Sequence, residues 1–223
     1  MYLLITLVQT ILFFGVAPAV VIFILAGRWD LWNVWAYAGV SIAIWSFQAL
    51  ALHRVSPDLL KERVKPSNRG RQPLQAIGAI GVFSLYWGIV GLDQRFHWSD
   101  IVPLPWMVAG LVIYAIGIGL ATWSLLVNSF FSIAVRIQED RGQKVISSGP
   151  YAIVRHPGYA GGLLAIFASA LALNSLLAII PAVILLLVFV NRTMIEDRML
   201  QSELAGYSDY AAKVRYRLIP GIW

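Results

Sequence analysis

The sequence predicts an all-α, polytopic integral membrane protein with about six transmembrane helices. Hydrophobic residues make up 59% of the chain and charged residues only 13%. The mean hydropathy of +0.74 lies far above that of a soluble domain of this size. Long apolar runs recur along the chain, and the basic residues are distributed unevenly between the segments that join them. These observations place the chain in a bilayer and predict its orientation.

Four apolar runs are long enough to cross a hydrocarbon core of about 30 Å. They cover residues 3–25, 31–52, 74–92 and 105–127. Two shorter runs, 158–173 and 176–190, are separated only by Asn174 and Ser175, which predicts a tight helical hairpin whose arms barely span the membrane. The first run precedes the first basic residue, Arg28, so we interpret it as a retained helix and not as a secretory signal. We expect about five to six crossings.

The distribution of the 17 Lys and Arg residues predicts the orientation. Arg28 and Arg95 lie on one side, whereas the other 15 lie within residues 54–71, 136–155 and 192–217, on the opposite side. The positive-inside rule makes these three segments and both termini cytoplasmic. The formal net charge of +6 is therefore a topology signal, and we expect membrane lipids as partners but no nucleic acid.

Composition also excludes several chemistries. The chain contains no cysteine, so disulfides, thiolate zinc sites and cysteine nucleophiles are excluded. His53 and His97 fall on opposite membrane sides, so we expect no metal site. The cytoplasmic segment 53–73 contains three prolines. We interpret it as a solvated tether that contacts anionic headgroups, with a substrate gate as the alternative.

The stretch "SSGPYAIVRHPGYAGG", residues 147–162, predicts a helix that begins near Pro157 at the cytoplasmic membrane face. The amides at a helix N-terminus favour an anionic group, and Arg155 and His156 would add donors there. Interfacial snorkelling of these two side chains is the alternative. Small residues at helical spacing predict a smooth face for helix packing, or alternatively for a flat ligand. They are Gly158, Gly162, Ala165, Ser169 and Ala172.

A second polar cluster follows the hairpin in "VNRTMIEDRMLQSELAGYSDY". Arg192 and Glu196 share a helix face just where the last apolar run ends, and by themselves they would be an ordinary i,i+4 ion pair. However, the helix that begins at Pro157 and the helix that ends after Arg192 are the two arms of one hairpin. Their cytoplasmic ends must be neighbours, so the sequence predicts a site with both signs of charge, suited to a zwitterionic ligand.

These motifs carry a resemblance. "GPYAIVRHPGYAGG", the later "RTMIEDRML" and the closing "GYSDYAAKVRYRLIPGIW" resemble the C-terminal core of the isoprenylcysteine carboxyl methyltransferase family and its relatives among the phospholipid methyltransferases. The likeness covers residues 128–223, so we expect an N-terminal four-helix membrane region at 1–127 and a methyltransferase core at 128–223. "LDQRFHWS", residues 92–99, resembles an outer-loop segment of bacterial members.

The resemblance implies a membrane enzyme that uses S-adenosylmethionine without a Rossmann fold, and no Gly-x-Gly-x-x-Gly loop follows a strand-like run here. It implies a cofactor pocket built by the hairpin and cytoplasmic helices and capped by the terminal segment. Arg192 takes the family's substrate-orienting, catalytic position. The implied cofactor contacts are Gln143, Lys144, Val145, Ile146, Tyr151, His156, Pro157, Gly158, Tyr159 and Glu196. Two positions depart from the family: its paired glutamates are Glu196 and Asp197 here, and Gln143 replaces a histidine that is frequent in eukaryotic members.

The favoured function is methyl transfer to the carboxylate of a lipophilic or prenylated acceptor from the bilayer. A carboxylate is already anionic and needs no general base, and Arg192 would grip it in a bidentate manner. Three alternatives remain open at this point: a phospholipid or small-molecule N- or S-methyltransferase, an NADPH-dependent enzyme resembling the sterol reductases, and a non-enzymatic scaffold. The sequence identifies neither the acceptor nor the oligomeric state.

Overall fold

The computed structural model describes residues 1–64, 73–99, 101–131 and 136–223. The first helix, α1, contains a π-helical stretch at Ile11–Val16. The α-helices of the described residues are α1 Tyr2–Ala26, α2 Trp32–Val55, α3 Pro57–Val64, α4 Pro73–Phe96, α5 Leu104–Val127, α6 Pro157–Ala172, α7 Ile179–Glu203 and α8 Tyr207–Lys213. Short 3-10 turns occur at Glu139–Arg141, Gly149–Ala152 and Leu176–Ala178.

The predicted all-α membrane architecture is confirmed, since the described ranges contain helices and no strand. Within the part of the chain that the structure describes, four helical segments are long and apolar enough to cross a bilayer: Tyr2–Ala26, Trp32–Val55, Leu104–Val127 and Leu176–Glu203. Helix α6 is apolar but has only 16 residues. The count of six crossings therefore stays a prediction.

Helices α5 and α6 pack with their backbones in contact. A Cβ atom on Gly161 of α6 would lie 2.5 Å from the Gly117 carbonyl oxygen and 2.8 Å from the Ala121 nitrogen of α5. One on Gly110 of α5 would lie 2.6 Å from the Ala172 nitrogen. Such approach requires small residues at the interface, because any larger side chain would separate the two backbones.

Helix α6 does pack through small residues, as predicted, but the prediction is wrong at Gly162. Ala165 and Ala172 do lie against α5, as expected. Gly162, however, does not: a Cβ there would meet nothing within 4 Å, and its neighbour Gly161 occupies the contact instead. The physical reason is the rotation of about 100° between adjacent residues of an α-helix, which lets only one of two neighbouring glycines face a given partner.

The turn of the hairpin is fixed by a buried carboxylate at the end of α4. Asp93 is fully buried and accepts hydrogen bonds from the Ser99 amide (2.7 Å), the Ser99 hydroxyl (2.5 Å) and the Ser175 hydroxyl (2.5 Å). Asn174 adopts a left-handed conformation, with φ of 53°, which asparagine tolerates better than most residues. The predicted turn at Asn174 and Ser175 is thus present and is tied to α4.

Segment 53–73, which we expected to be a solvated cytoplasmic tether, begins with a packed helix instead. Residues Pro57–Val64 form α3, in which Leu59 and Leu60 are fully buried. They pack with Leu52 and Leu125, and Phe131 lies against the same cluster. This burial converts the first part of the segment into a packed helix, since two adjacent leucines gain more from apolar contact than from a headgroup surface. Residues 65–72, on which the rest of that prediction falls, lie outside the described residues.

The α5–α6 contact predicts opposite effects for adjacent glycines. Gly161→Ala should lower the free energy of unfolding by about 1–3 kcal/mol, because its methyl group would meet backbone atoms that cannot yield. Gly162→Ala should be neutral or stabilise by up to about 1 kcal/mol, because alanine is the better helix former and has space there. Thermal unfolding of both purified variants in detergent tests this pair. Equal destabilisation by the two substitutions would contradict the packing.

Candidate functional site

A pocket lies where α6 begins and α7 ends. The space inside it, including the part that is open to solvent, is about 750 Å³. Its walls come from the segment that follows α5, from residues 143–159, from α7 and from α8. The lining residues are Asn128, Phe130, Phe131, Arg136, Gln143, Lys144, Val145, Ile146, Tyr151, Arg155, His156, Gly158, Tyr159, Glu196, Met199, Leu200, Leu204, Tyr207 and Tyr210.

The structure brings nine of the ten predicted cofactor-contact residues to this one pocket. The exception is Pro157, which is buried but is not part of the lining. As expected, Pro157 is the first residue of α6, with His156 as its N-cap. Arg192 is not part of the lining, but its side chain is hydrogen-bonded to Tyr159, which is. The geometry therefore assembles residues from two distant stretches of sequence around one cavity.

Tyr159 links Arg192 and Glu196, two charged residues of α7. Its hydroxyl donates to Glu196 Oε2 at 2.5 Å and accepts from Arg192 Nε at 2.8 Å. The guanidinium carbon of Arg192 lies 5.8 Å from the centre of the same ring. The His156 ring stacks parallel to it, with centroids 5.8 Å apart. Arg192 and Glu196 are therefore connected by hydrogen bonds to Tyr159 of α6, in addition to being neighbours on one face of α7.

Asp197, adjacent to Glu196, is a buried hub with a side-chain exposure of 1%. Arg155 grips both of its oxygens, with Nε and Nη2 each at 2.8 Å. Arg217 Nε donates to Oδ2 at 2.9 Å. Further contacts come from Tyr207 Oη at 3.0 Å, Gln201 Nε2 at 3.0 Å and His156 Nε2 at 3.4 Å. A buried carboxylate needs such partners to offset the loss of water, and these tie α6, α7, α8 and the terminal segment together.

The role expected for Arg155 is wrong. The sequence analysis placed its guanidinium in an anion cradle or, alternatively, at the membrane interface. Instead it is buried, and its donors are used by Asp197 and by three main-chain carbonyl groups. These belong to Ala211 (3.4 Å), Val214 (3.0 Å) and Arg215 (3.1 Å). Its charge is matched by Asp197, so Arg155 holds the fold of the site and is not a free anion-binding group.

The terminal segment, residues 215–223, does not line the pocket but is hydrogen-bonded to the residues that precede α6. The Arg155 and His156 amides donate to the carbonyls of Tyr216 and Arg217, each at 2.9 Å. The main-chain oxygen of Trp223 accepts from the amides of residues 217–219 at 2.9–3.1 Å, and the Arg217 guanidinium lies 5.1 Å from the Trp223 ring centre. On this side the pocket wall is α8, not the "RLIPGIW" segment that the resemblance implied as a cap.

Sequence reasoning missed several aromatic walls of the pocket. Tyr207 and Tyr210 follow each other at i,i+3 in "GYSDY", a spacing that places both on one face of α8. Tyr210 donates to the Tyr151 carbonyl at 2.7 Å, and Tyr151 accepts from Asn128 Nδ2 at 3.1 Å. Burial raises the pKa of Tyr151, Tyr207 and Tyr210. All three phenols therefore remain neutral hydrogen-bonding groups at physiological pH.

The lining suits a ligand with both charge signs and an aromatic part. Glu196 supplies an acceptor for a cation or for hydroxyl groups. Lys144, Arg136 and the positive dipole end of α6 supply positive potential, although Arg136 is also paired with Asp140 at 2.9 Å. Phe130, Phe131 and a set of aliphatic side chains supply apolar walls for a flat ring. That aliphatic set comprises Val145, Ile146, Met199, Leu200 and Leu204.

A family comparison agrees with this site. Residues 105–205, from α5 to the end of α7, match the family described as phospholipid methyltransferase. For this segment, the match confirms the relationship to the phospholipid methyltransferases that the motifs predict. Together with the apolar helices, it supports a membrane methyltransferase.

Comparison with individual proteins adds a solved structure. The chain is similar to the eukaryotic intramembrane Ras methyltransferase ICMT, isoprenylcysteine carboxyl methyltransferase, solved without a monobody. The identity is 23% over 85% of this chain and 68% of that chain, with a TM-score of 0.49. No curated protein matches the sequence.

The Asp197 hub predicts a large and local stability effect. Asp197→Asn removes the charge that balances Arg155, so we expect the free energy of unfolding to fall by about 3–5 kcal/mol. Glu203→Gln, an exposed carboxylate change on the same helix, is the matched control and should alter it by about 0.5 kcal/mol or less. Thermal or denaturant unfolding in detergent measures both. A mild effect of Asp197→Asn, similar to that of the control, would contradict the hub.

Proposed function

We propose that this chain is an S-adenosylmethionine-dependent methyltransferase that modifies a lipophilic acceptor, with a carboxylate of the isoprenylcysteine type favoured. The observation that carries the proposal is the contact between Tyr159 and Glu196 inside one pocket. It brings the start of α6 and the end of α7 around a cavity with acidic, basic and aromatic groups. The methyltransferase family match of residues 105–205, which contribute most of this lining, supports the same class.

The lining residues fit the parts of S-adenosylmethionine. Glu196 would hold its ammonium or ribose hydroxyl groups, and Lys144, near the positive dipole end of α6, would hold its carboxylate. Tyr151 and the apolar walls formed by Phe130, Val145 and Ile146 would take the adenine ring. Arg155 is excluded from this set because Asp197 uses its charge.

Methyl transfer to a carboxylate requires no general acid or general base from the protein. When bound, S-adenosylmethionine supplies a methyl group on a sulfonium: the acceptor's electron pair forms the new bond as the carbon–sulfur bond breaks, and sulfur leaves as a neutral thioether. The chain's part is to hold the two reactants in line and to exclude water. A carboxylate acceptor brings no proton to remove, so the scarcity of candidate bases is no obstacle.

The position of Arg192 supports an acceptor that approaches from the bilayer. Its guanidinium lies next to the pocket, held by the Tyr159 hydroxyl. On the same helix, Leu187 (63% exposed), Val188 (44%) and Ile195 (43%) present apolar surface outward. A lipid tail would pack along this surface while Arg192 holds the acceptor carboxylate.

A phospholipid amine is the second candidate acceptor, favoured by the family of residues 105–205. Such an amine must lose a proton before or during methyl transfer, and Glu196 is a carboxylate within the pocket that would take it. The two acceptors differ in charge: Arg192 attracts a carboxylate and repels an ammonium group.

The membrane orientation and the internal division are part of this proposal. The excess of basic residues near the pocket supports a cytoplasmic position for it and for both termini, by the positive-inside rule. The proposed N-terminal region, 1–127, contains α5, which packs against α6 and falls within the family match. The methyltransferase core at 128–223 therefore depends on α5 for its support.

Cofactor binding is the first test. Calorimetric titration of the purified chain with S-adenosylmethionine should show saturable binding. Glu196→Gln should weaken it by roughly 10- to 100-fold, the effect of losing a charged hydrogen bond of about 1.5–3 kcal/mol. Glu203→Gln, outside the pocket, should bind as the wild type does. The absence of binding by folded wild-type protein would exclude the proposal.

The acceptor class is tested by incubating the chain with methyl-labelled cofactor and total membrane extract, followed by separation of lipid, protein and volatile fractions. A carboxyl methyl ester releases its label as volatile methanol after base treatment, whereas an N-methyl group does not. We expect base-labile label that depends on Arg192. Base-stable label in the phospholipid fraction alone would favour the amine and overturn the carboxylate assignment.

A further inference from the structure

The Tyr159 hydroxyl lies between two charged groups that have different places in the site. Glu196, on one side, lines the cofactor pocket, and its Oε2 is 2.5 Å from the hydroxyl. Arg192, on the other side, is not part of the pocket lining, and its Nε is 2.8 Å from the same oxygen. A single hydroxyl therefore connects the interior of the pocket to the guanidinium beside it.

The direction of these hydrogen bonds is fixed by the chemistry of the three groups. A guanidinium only donates, an ionised carboxylate only accepts, and a phenol has one proton to give. The phenol proton therefore points to Glu196, and the phenol oxygen accepts from Arg192. Both bonds involve an ionised partner, which makes them stronger than neutral ones and couples the polarisation of one to the other.

The ring that carries the hydroxyl is itself held in place. It stacks on the His156 ring with an interplanar angle of 2° and meets Phe189 edge-on, with centroids 5.3 Å apart. His156 in turn contacts the Asp197 hub at 3.4 Å. Because Tyr159 stands in the first turn of α6, its hydroxyl offers Arg192 Nε a fixed partner. The hydrogen bond to that partner restrains the plane of the Arg192 guanidinium.

We propose that Tyr159 is a positioning residue that couples occupancy of the pocket at Glu196 to the binding of an anionic acceptor at Arg192. This proposal rests on the proposed function and deepens it. When no cation occupies the pocket, the charge of Glu196 is balanced by Arg192 through the shared hydroxyl, and an acceptor carboxylate must compete with it. A cation bound at Glu196 takes over that balance, and Arg192 then holds the acceptor carboxylate more strongly.

Coupling of this kind is reciprocal, so each ligand should raise the affinity of the other by the same factor. The site would then favour the ternary arrangement in which methyl donor and carboxylate are both present. The Tyr159 hydroxyl oxygen therefore carries the coupling, whereas its ring only packs against His156 and Phe189.

The experiment measures the affinity of an acceptor probe with and without a non-reactive cofactor analogue. N-acetyl-S-farnesylcysteine is the carboxylate probe, and S-adenosylhomocysteine is the analogue, since it keeps the ammonium group but has no methyl group to transfer. The ratio of the two dissociation constants for the wild-type chain should be about 5 or more, within the usual range of coupling between sites. In Tyr159→Phe, which keeps the ring, the ratio should fall toward one.

Two further variants make the result specific. Tyr114→Phe removes a similarly buried hydroxyl, bonded to Ser41 at 2.8 Å, from α5 outside the site, and its ratio should equal that of the wild type. Arg192→Lys keeps the positive charge but loses the Nε donor, so its ratio should fall as in Tyr159→Phe. This variant decides the question if Tyr159→Phe does not fold.

The outcomes separate this proposal from the one on which it rests. A wild-type chain that binds S-adenosylhomocysteine and transfers methyl groups, but shows a ratio of one, would overturn the coupling alone. An equal, high ratio in wild type, Tyr159→Phe and Arg192→Lys would also overturn it. Failure of the folded wild type to bind S-adenosylhomocysteine would instead overturn the proposed function.

Discussion

The candidate site depends on one buried carboxylate. The Asp197 carboxylate is buried, and two arginines and three further side chains offset its lost hydration. Because the carboxylate needs these contacts, it fixes the positions of the residues that make them. Those partners come from the residues before α6, from α7, from α8 and from the terminal segment. Glu196, the next residue, points into the pocket instead. The two adjacent acidic residues therefore have different roles. Asp197 holds the elements around the pocket together, and Glu196 lines the pocket.

The hairpin of α6 and α7 is fixed at both of its ends by such charges. Asp93 binds Ser175 at the turn, and Asp197 binds Arg155 at the open end. Between these ends, α6 lies against α5 with backbone atoms in contact, which leaves little freedom for a helix of only 16 residues. A site built between two such helices keeps its geometry through packing and hydrogen bonds, and methyl transfer needs accurate positioning above all.

Sequence alone predicted what depends on neighbouring residues and missed what depends on distant ones. The start of α6 at Pro157 and the turn at Asn174 follow from local chemistry, and the pocket residues of 143–159 followed from a motif. The choice between Gly161 and Gly162 is made by α5, and the partner of Arg155 lies 42 residues away along the chain. Leu59 and Leu60 sit in a charged segment with no apolar run, so only the folded chain shows that they are buried. What the pocket binds stays a prediction.

The ends of α6 and α7 are proposed to enclose a zwitterionic methyl donor. The decisive measurement is an experimental structure of the full chain with S-adenosylhomocysteine. We expect ligand density between Tyr159 and Glu196 on one side and Val145 and Ile146 on the other, with Arg155 still bound to Asp197. Density at another place, or a ligand paired with Arg155 while Asp197 is left without it, would rule this binding mode out.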